Sequence, residues 1–346
     1  MIAIAEAISQ EPVVKAGRRL HRARLLPPES EKYRAIQAIL KSQPVSYFLT
    51  LHTLLCRLLE DDTPLYLVTD WSDPSEVIGL RLETDKGTTD YPDLCFLAFY
   101  TDWERLPDPG IEEIFAHELS HLWLIRMGFD FSRSKSNKFH TCTAITDPYL
   151  AFSEGFAEHF EIVTQERGDS AGAFQLWDDG YDLDAWLCNR DSQLRLYAVK
   201  NNRFLYHTAM PVPEDQDSYQ HLHMAHITSS AFMPERLKNG LQAISSEGVV
   251  APFFYQMYRS ELLNQTKAPD AVCRNCGISL NELDLETRRY GKIFYALSQM
   301  DLRKPSLLVD FLRAYCVSFP GERKELLHIF LRVTSFVTVD EAAAEL

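Results

Sequence analysis

The spacing of apolar and polar positions changes along the chain. Three apolar runs, at residues 64–71, 77–83 and 93–103, have the length and composition of strands. Residues 31–60 and the chain after about residue 170 show helical spacing instead. The pattern therefore predicts an α+β protein with a strand-rich N-terminal lobe and a mostly helical C-terminal lobe.

Two further helices are predicted near the middle of the chain, and both have clear boundary signals. Asp108 and Asp147 suit N-cap positions, and each directly precedes a proline. Gly128 and Gly168 suit positions just beyond the C-terminal ends. The first of these helices is therefore expected to span about residues 109–127.

This first helix is apolar on nearly every face, yet it carries His117, Glu118 and His121 within IFAHELSHLWLIRMG. A buried charge is unfavourable unless it is paired or bound to a metal. Two histidines four positions apart lie on one helix face, and both can bind one zinc ion at about 2.0–2.1 Å. Glu118 lies where a carboxylate can take a proton from a water molecule at the metal, as in the H-E-x-x-H arrangement of zinc hydrolases. The alternative is a pair of hydrogen-bonded core histidines beside a buried acid.

A zinc hydrolase needs a third protein ligand, and Glu154 is the best candidate. It lies 33 residues after His121, within FSEGFAEHFE in the second helix. Gly155, beside it, is expected to let the first helix approach closely. The alternative is that Glu154 is a surface acid on an amphipathic helix.

The neighbours of Glu154 on the second helix have different expected roles. Glu158 lies one turn later, where it is expected to accept a hydrogen bond from the second ring N–H of a ligand histidine. His159 and Glu161 fall on other faces of the helix and are expected to be solvated.

Taken together, HELSH and SEGFAEH resemble the paired motifs of the gluzincin metallopeptidases, whose third zinc ligand is a glutamate in a similar context. Two later stretches narrow the resemblance to the thermolysin-like group. MAHITSSAFM at 224–233 is similar to the stretch that carries the catalytic histidine of that group, and RRYGKIFYALSQ at 288–299 is similar to its C-terminal helix. The order of the motifs also matches.

The resemblance implies a set of roles for individual residues. His117, His121 and Glu154 would bind Zn²⁺, and Glu118 would be the general base. His226 would stabilise the oxyanion of the reaction. Tyr149 and Tyr219 are the candidate contacts on the substrate side. The carboxylate of Glu158 would support a ligand histidine.

The chain also departs from the thermolysin-like pattern. Thr228 and Ser230 replace an asparagine and a glycine of the family, and His221 stands where the family has the aspartate that orients its catalytic histidine. Either Asp215 or Asp217 supplies that acid instead, or His226 acts differently from the catalytic histidine of the family. The gap between the two zinc motifs is longer than in thermolysin, so residues 129–146 are expected to form an additional loop.

Composition and charge exclude some classes of protein and indicate a compartment. The net charge of −14 argues against a general nucleic-acid binder or a basic membrane-surface protein. The N-terminus lacks the pattern of a signal peptide, and the longest apolar segment is too short and too polar to span a bilayer. Seven scattered cysteines are typical of reduced thiols, so a cytoplasmic protein is expected. The oligomeric state is left open.

Two other clusters have the composition of metal sites but are not favoured. Cys273 and Cys276 form a single C-x-x-C pair without a second pair, so a structural zinc knuckle is not expected there. His221, His223 and His226 are close in sequence, but one catalytic histidine with two loop residues is the preferred interpretation.

The sequence therefore predicts a zinc-dependent metallopeptidase that acts on a peptide or protein substrate. An endopeptidase is favoured, because the Gly-Ala-Met-Glu-Asn motif of related aminopeptidases is absent. One alternative is a catalytically inactive zinc-bearing interaction or regulatory module of the same fold. Another is hydrolysis of a non-peptide amide or an epoxide at the same zinc.

The expected architecture is thermolysin-like, with the zinc cleft between the two lobes. Residues 1–60 would form a helical N-terminal extension, residues 61–168 the catalytic lobe with both motif helices, and residues 169–346 the helical C-terminal lobe. The strand at 93–103 would form the upper edge of the cleft, where an extended peptide could pair as an added strand.

Overall fold

A computed structural model describes most of the chain. The residues described are 2–71, 75–84, 86–99, 110–136, 139–168, 194–209 and 232–335. The chain divides into two compact units, Met1–Arg126 and Met127–Leu346. The first unit combines a large sheet with helices and the second is mostly helical, so the protein is mixed α/β, with its sheet in the N-terminal part and a helical C-terminal part.

Among its described residues, the first unit contains a six-stranded sheet and three helices. In chain order these are β1 (Ile2–Ala7), β2 (Val13–Lys15), β3 (Arg18–Leu25), α1 (Glu31–Leu40), α2 (Gln43–Leu59), β4 (Leu65–Thr69), β5 (Ser75–Thr84), β6 (Gly87–Ala98) and α3 (Ile111–Arg126). The strand order is β1-β4-β6-β5-β3-β2, and β1 also pairs with β3. That additional pairing closes five of the strands into a barrel, to which β2 is attached on the outside of β3.

Side chains of alternating size fill the barrel. Its buried residues include the small Ala5 and Ala98 beside the large Phe96 and Trp71. Phe96 and Trp71 meet edge to face, with ring centroids 6.0 Å apart. Alternation of small and large side chains lets a small barrel fill its interior without a cavity, so this sheet forms the hydrophobic core of the first unit.

The prediction of a helical extension over residues 1–60 is right for α1 and α2 and wrong for residues 2–25, which form strands. The arginines of β3 obscure its strand pattern, because they lie towards solvent, where some of them form ion pairs. Arg22, for example, lies 2.7 Å from Glu83 on β5. Within the barrel, β3 pairs with β1 and β5. Neither strand is next to β3 in the chain order, so no local sequence pattern predicts these pairings.

The expected role of the strand at 93–103 as an open cleft edge is wrong for residues 97 and 98. Leu97 and Ala98 pair with β4 on one side and with β5 on the other. The end of β6 is therefore an interior strand of the barrel, with no free edge for a peptide. Residues 100–103 of the predicted strand lie outside the described residues.

The second unit is built mainly from helices. They are α4 (Pro148–Arg167), α5 (Gly240–Ile244), α6 (Glu247–Arg259), α7 (Glu261–Gln265), α8 (Asp270–Cys276), α9 (Leu285–Ser298), α10 (Leu307–Ser318) and α11 (Arg323–Val333). Residues 194–200 are also helical. Short 3₁₀ turns lie at Phe131–Arg133, Arg203–Leu205, Leu280–Glu282 and Pro320–Glu322, and β7 (Tyr206–Thr208) pairs with β8 (Phe232–Leu237) in an antiparallel ribbon.

Helix α4 lies at the centre of the second unit and packs most extensively against α6. Gly155 is the point of closest approach, because a Cβ added there would lie 2.5 Å from Cβ of Val250 and 3.0 Å from the backbone nitrogen of Ala251. From the sequence, Gly155 was expected to allow the close approach of the first motif helix. The atoms that require a glycine belong to α6 instead.

A fully buried ion pair joins α9 to the turn before α11. Nζ of Lys292 lies 2.6 Å from Oε1 of Glu322, and both side chains are 0% exposed. The same ammonium donates to the carbonyls of Leu263 and Thr266, and the hydroxyl of Tyr315 donates to Oε2 of Glu322. Lys292 belongs to the RRYGKIFYALSQ stretch, so this motif has a structural role in the helical unit.

Within the described residues, no helix has both the length and the apolar character needed to cross a bilayer. None of the six cysteines in this part of the chain forms a disulfide.

The contact at Gly155 gives a first prediction. Alanine favours a helix over glycine by about 1 kcal/mol, but overpacking a close contact costs about 1–3 kcal/mol. Because the clash involves Cβ and backbone atoms of α6, Gly155→Ala should lower the Tm measured by calorimetry. The control is Gly321→Ala, where a Cβ would meet no atom within 4 Å. An equal Tm for both variants would contradict the proposed contact.

The buried ion pair gives a second prediction. Lys292→Met would leave the carboxylate of Glu322 buried without its cation, which typically costs about 3–5 kcal/mol. The Tm should fall sharply, and Lys292→Met combined with Glu322→Gln should recover part of the loss. Lys324→Met on the exposed face of α11 is the control. A drop no larger than that of the control would show that the pair contributes little.

Candidate metal centre

Helix α3, which carries the H-E-x-x-H motif, is held in place by aromatic and polar contacts within the first unit. Nε1 of Trp123 donates to Nδ1 of His52 on α2 at 3.1 Å, inside the core. Phe115 stacks on Phe99, which directly follows β6, with ring centroids 5.8 Å apart. Burial lowers the pKa of His52 to about 4, so its ring is neutral and accepts this hydrogen bond at neutral pH.

The C-terminal end of α3 is fixed by Arg126. Its guanidinium donates to Asp61 at 3.0 Å and to the carbonyls of Thr63 and Pro64. Gly128 follows with a φ of 102°, as expected of the residue just past a helix end. The predicted N-cap Asp108 and the following Pro109 lie outside the described residues.

The two motif histidines face each other on α3. Their Nε2 atoms are 3.1 Å apart and their ring centroids 4.8 Å apart. His121 is 4% exposed, whereas His117 is half-buried. Two nitrogens bound to one zinc at tetrahedral angles would be about 3.3 Å apart. The observed separation fits that donor set, and it also fits the alternative in which one ring donates to the other.

Glu118 lies between the two histidines in sequence and is half-buried. Its carboxylate makes no hydrogen bond or ion pair with any residue that the structure describes. A general base must keep its acceptor oxygens available for the proton that it removes. The environment of Glu118 is therefore compatible with the role that the sequence predicts.

Helix α4 begins where the sequence predicts. Oδ1 of Asp147 accepts hydrogen bonds from the backbone N–H groups of Tyr149 and Leu150 at 2.8 and 2.9 Å. Its Oδ2 accepts from Ser134 and from the backbone N–H of Lys135 and Ser136. Burial opposes ionisation of this carboxyl, but the hydrogen bonds outweigh it and lower the pKa of Asp147. The cap thus joins the start of α4 to the preceding loop.

Glu154 is buried in the second unit, with 6% of its surface exposed. The alternative of a surface acid is therefore wrong. Oε2 of Glu154 lies 3.8 Å from Nδ1 of His140, and the same nitrogen lies 3.3 Å from Oε2 of Glu247 at the start of α6. These three side chains can hold a metal ion, because their ligand atoms all lie within 4.8 Å of one another.

The neighbours of Glu154 on α4 differ from the sequence prediction. Arg195 pairs with both Glu158 and Glu161, the latter at 2.6 Å, so Glu158 has an arginine partner that the sequence did not indicate. His159 and Glu161 were expected to be solvated, but both are buried. His159 donates to the carbonyl of Phe156 and accepts from Tyr290, and burial lowers its pKa to about 3.

The two tyrosines proposed for the substrate side have different outcomes. Tyr149 is 3% exposed, and its hydroxyl accepts from the backbone N–H of Asp130 and donates to the carbonyl of Leu302. These contacts give it a structural role and do not support substrate binding. Tyr219 and the oxyanion candidate His226 lie outside the described residues, as do His221, His223, Asp215 and Asp217.

The C-x-x-C pair lies on α8 and shows no sign of a metal site. The thiol of Cys276 donates weakly to the carbonyls of Cys273 and Ile278, at 3.6 Å each, and burial raises the pKa of Cys276. Among the described residues, no group with metal-binding geometry includes a cysteine.

Sequence reasoning missed His140 and Glu247. His140 lies in the 129–146 segment, which was interpreted only as an extra loop, and Glu247 is 107 residues away from it. No spacing rule joins two such positions, because their meeting depends on the packing of α6 against α4. The structure thus brings His117 to His121 within the first unit, and His140 and Glu247 to Glu154 within the second.

Comparison with known proteins identifies no relative of this chain. The chain matches no family model, no curated protein and no solved structure. The interpretation of the site therefore depends on the residues and geometry of the chain itself.

Proposed function

We propose that the protein is a zinc-dependent metallopeptidase that hydrolyses peptide bonds. The observation that supports this most directly is the His117–His121 pair, whose Nε2 atoms lie 3.1 Å apart on a helix buried by apolar residues. Paired imidazoles at this spacing are ligands that zinc prefers. Their position beside Glu118, which has no partner in the described structure, adds the base that a hydrolase requires.

In this proposal His117 and His121 from the first unit and Glu154 from the second would bind the zinc. The arrangement would be thermolysin-like, with strand-rich and helical parts each supplying ligands to one cleft. When bound, the zinc would make a water molecule more acidic and polarise the scissile carbonyl. The buried carboxylate of Glu154 is suited to this role, because a metal would offset the cost of burying its charge.

Glu118 would act as the general base and then as the general acid. It would take a proton from the attacking water and pass it to the leaving amine of the peptide. Glu118 is half-buried, so water can reach its carboxylate. In the sequence it lies between the two histidines. His226 would donate to the oxyanion, a role that depends on the resemblance of MAHITSSAFM alone.

The substrate would be a peptide or protein, and the compartment the cytoplasm. The competing proposal, an inactive zinc-bearing interaction module, predicts the same metal content but no dependence of any activity on Glu118. The two proposals are therefore separated by variants of the base and not by variants of the ligands.

Metal content gives the first test of the proposed function. His117→Ala combined with His121→Ala should remove one equivalent of zinc, because two of its three ligands are lost. Zinc per chain would be measured by inductively coupled plasma mass spectrometry after dialysis, with circular dichroism to confirm folding. His328→Ala, at an exposed position on α11, is the control. A double variant that keeps the full zinc content of the wild type would place that metal elsewhere.

The base gives the second test. Glu118→Gln keeps the size of the side chain but removes its basicity, so peptide hydrolysis should fall by about 10²–10⁴-fold with unchanged zinc content. Glu112→Gln in the first turn of the same helix is the matched control and should retain activity. Turnover would be measured against a peptide library. A wild-type protein that binds zinc but cleaves no peptide would support the interaction module instead.

A further inference from the structure

The cluster of His140, Glu154 and Glu247 is a set of metal-ligand atoms within the second unit alone. One imidazole nitrogen lies 3.3 Å from one carboxylate and 3.8 Å from another. The side chains of Glu154 and Glu247 are each only 8% exposed, whereas that of His140 is 47% exposed. The cluster is therefore buried on its acidic side and accessible to solvent on its histidine side.

Packed elements hold these ligands in place. Glu154 lies in the middle of the buried helix α4, and Glu247 lies in the first turn of α6, directly after its N-cap Ser246. The two helices meet where Gly155 contacts Val250. His140 stacks on Phe139, with ring centroids 5.9 Å apart. Two of the three ligands are thus positioned by the packing of α4 against α6.

The charge balance of the cluster favours a cation. Two buried carboxylates next to one imidazole are unfavourable unless a positive charge is close. Lys238 is near enough for the charge of Glu247 to act on it. However, its Nζ makes no hydrogen bond and so does not occupy the oxygens of Glu247.

We propose that His140, Glu154 and Glu247 bind a second divalent cation, of the zinc class. One imidazole and two carboxylates are a ligand set that zinc accepts, with solvent in the remaining position. The site depends only on the second unit. If the proposed function is also correct, Glu154 serves both ions, and the protein has a two-metal centre of the kind that clamps a reacting oxygen.

The test is a count of metal equivalents that leaves Glu154 unchanged. Chelator-stripped protein would be titrated with Zn²⁺ and examined by native mass spectrometry. The wild type should bind two ions, and His140→Ala or Glu247→Gln should each bind one. His117→Ala with His121→Ala should also bind one, and the combination of both sets should bind none. His328→Ala on α11 should behave as wild type.

A variant that should strengthen binding provides an independent arm. Lys238→Met removes a positive charge near Glu247, so the second ion should bind several-fold more tightly by isothermal titration with Zn²⁺. The first site should keep its affinity. Since the lysine has no hydrogen-bond partner, its removal also avoids a loss of buried polar contacts.

The outcomes separate this inference from the proposed function. A single ion that is lost in the His117/His121 variant but kept in His140→Ala and Glu247→Gln would overturn the second site and leave the proposed function intact. A single ion with the opposite dependence would support the second site and remove the zinc from the H-E-x-x-H motif. The second site would also be overturned by a combination of two results. These are an unchanged Zn²⁺ affinity in Lys238→Met and a loss of both ions that only the substitutions of His117 and His121 cause.

Discussion

The burial of most of helix α4 is the constraint on which the second unit depends. From Ala151 to Thr164 every residue of this helix is buried. Each ionisable group on it therefore needs a partner from another element, because water cannot solvate it. Arg195 supplies that partner for two glutamates, Tyr290 for His159, and His140 lies beside Glu154.

The burial of α4 also makes the chemistry of its ionisable side chains depend on how the helix packs. A buried helix has no solvent face on which to place a charge at little cost, so each acid on α4 either pairs or binds a cation. Helix α3 in the first unit shows the same combination of apolar faces and polar groups. In both helices some of these buried groups are candidate metal ligands, and others, such as Glu161 and Arg126, have a partner in an ion pair.

Local features of the fold were predictable from the sequence, and non-local ones were not. The start of α4 at Asp147 and the end of α3 before Gly128 follow from residues that determine their own backbone conformation. Strands β1 and β3 depend on partners more than 40 residues away, as in the pairings of β1 with β4 and of β3 with β5. Burial of His159 could not be predicted either, because it depends on Tyr290, 131 positions later.

The same distinction between local and non-local features applies to the candidate site. The facing of His117 and His121 is a property of one helix, and the spacing of four residues predicts it. The partners of Glu154 are not local, since His140 and Glu247 reach it only after α6 packs on α4. The role of Gly155 was misassigned for the same reason: the sequence shows that a helix must approach closely, but not which one.

The closed barrel of the first unit has a consequence for self-association. Unpaired strand edges are the templates from which proteins add strands of other copies and aggregate. Closure removes most of these edges. The outer strand β2 has only three residues and ends in Lys15, which pairs with Asp90. Another open stretch, the first half of β6, contains Pro92 and Asp93, neither of which suits pairing with a second chain. These two edges of the sheet are thus poor templates for growth into fibrils.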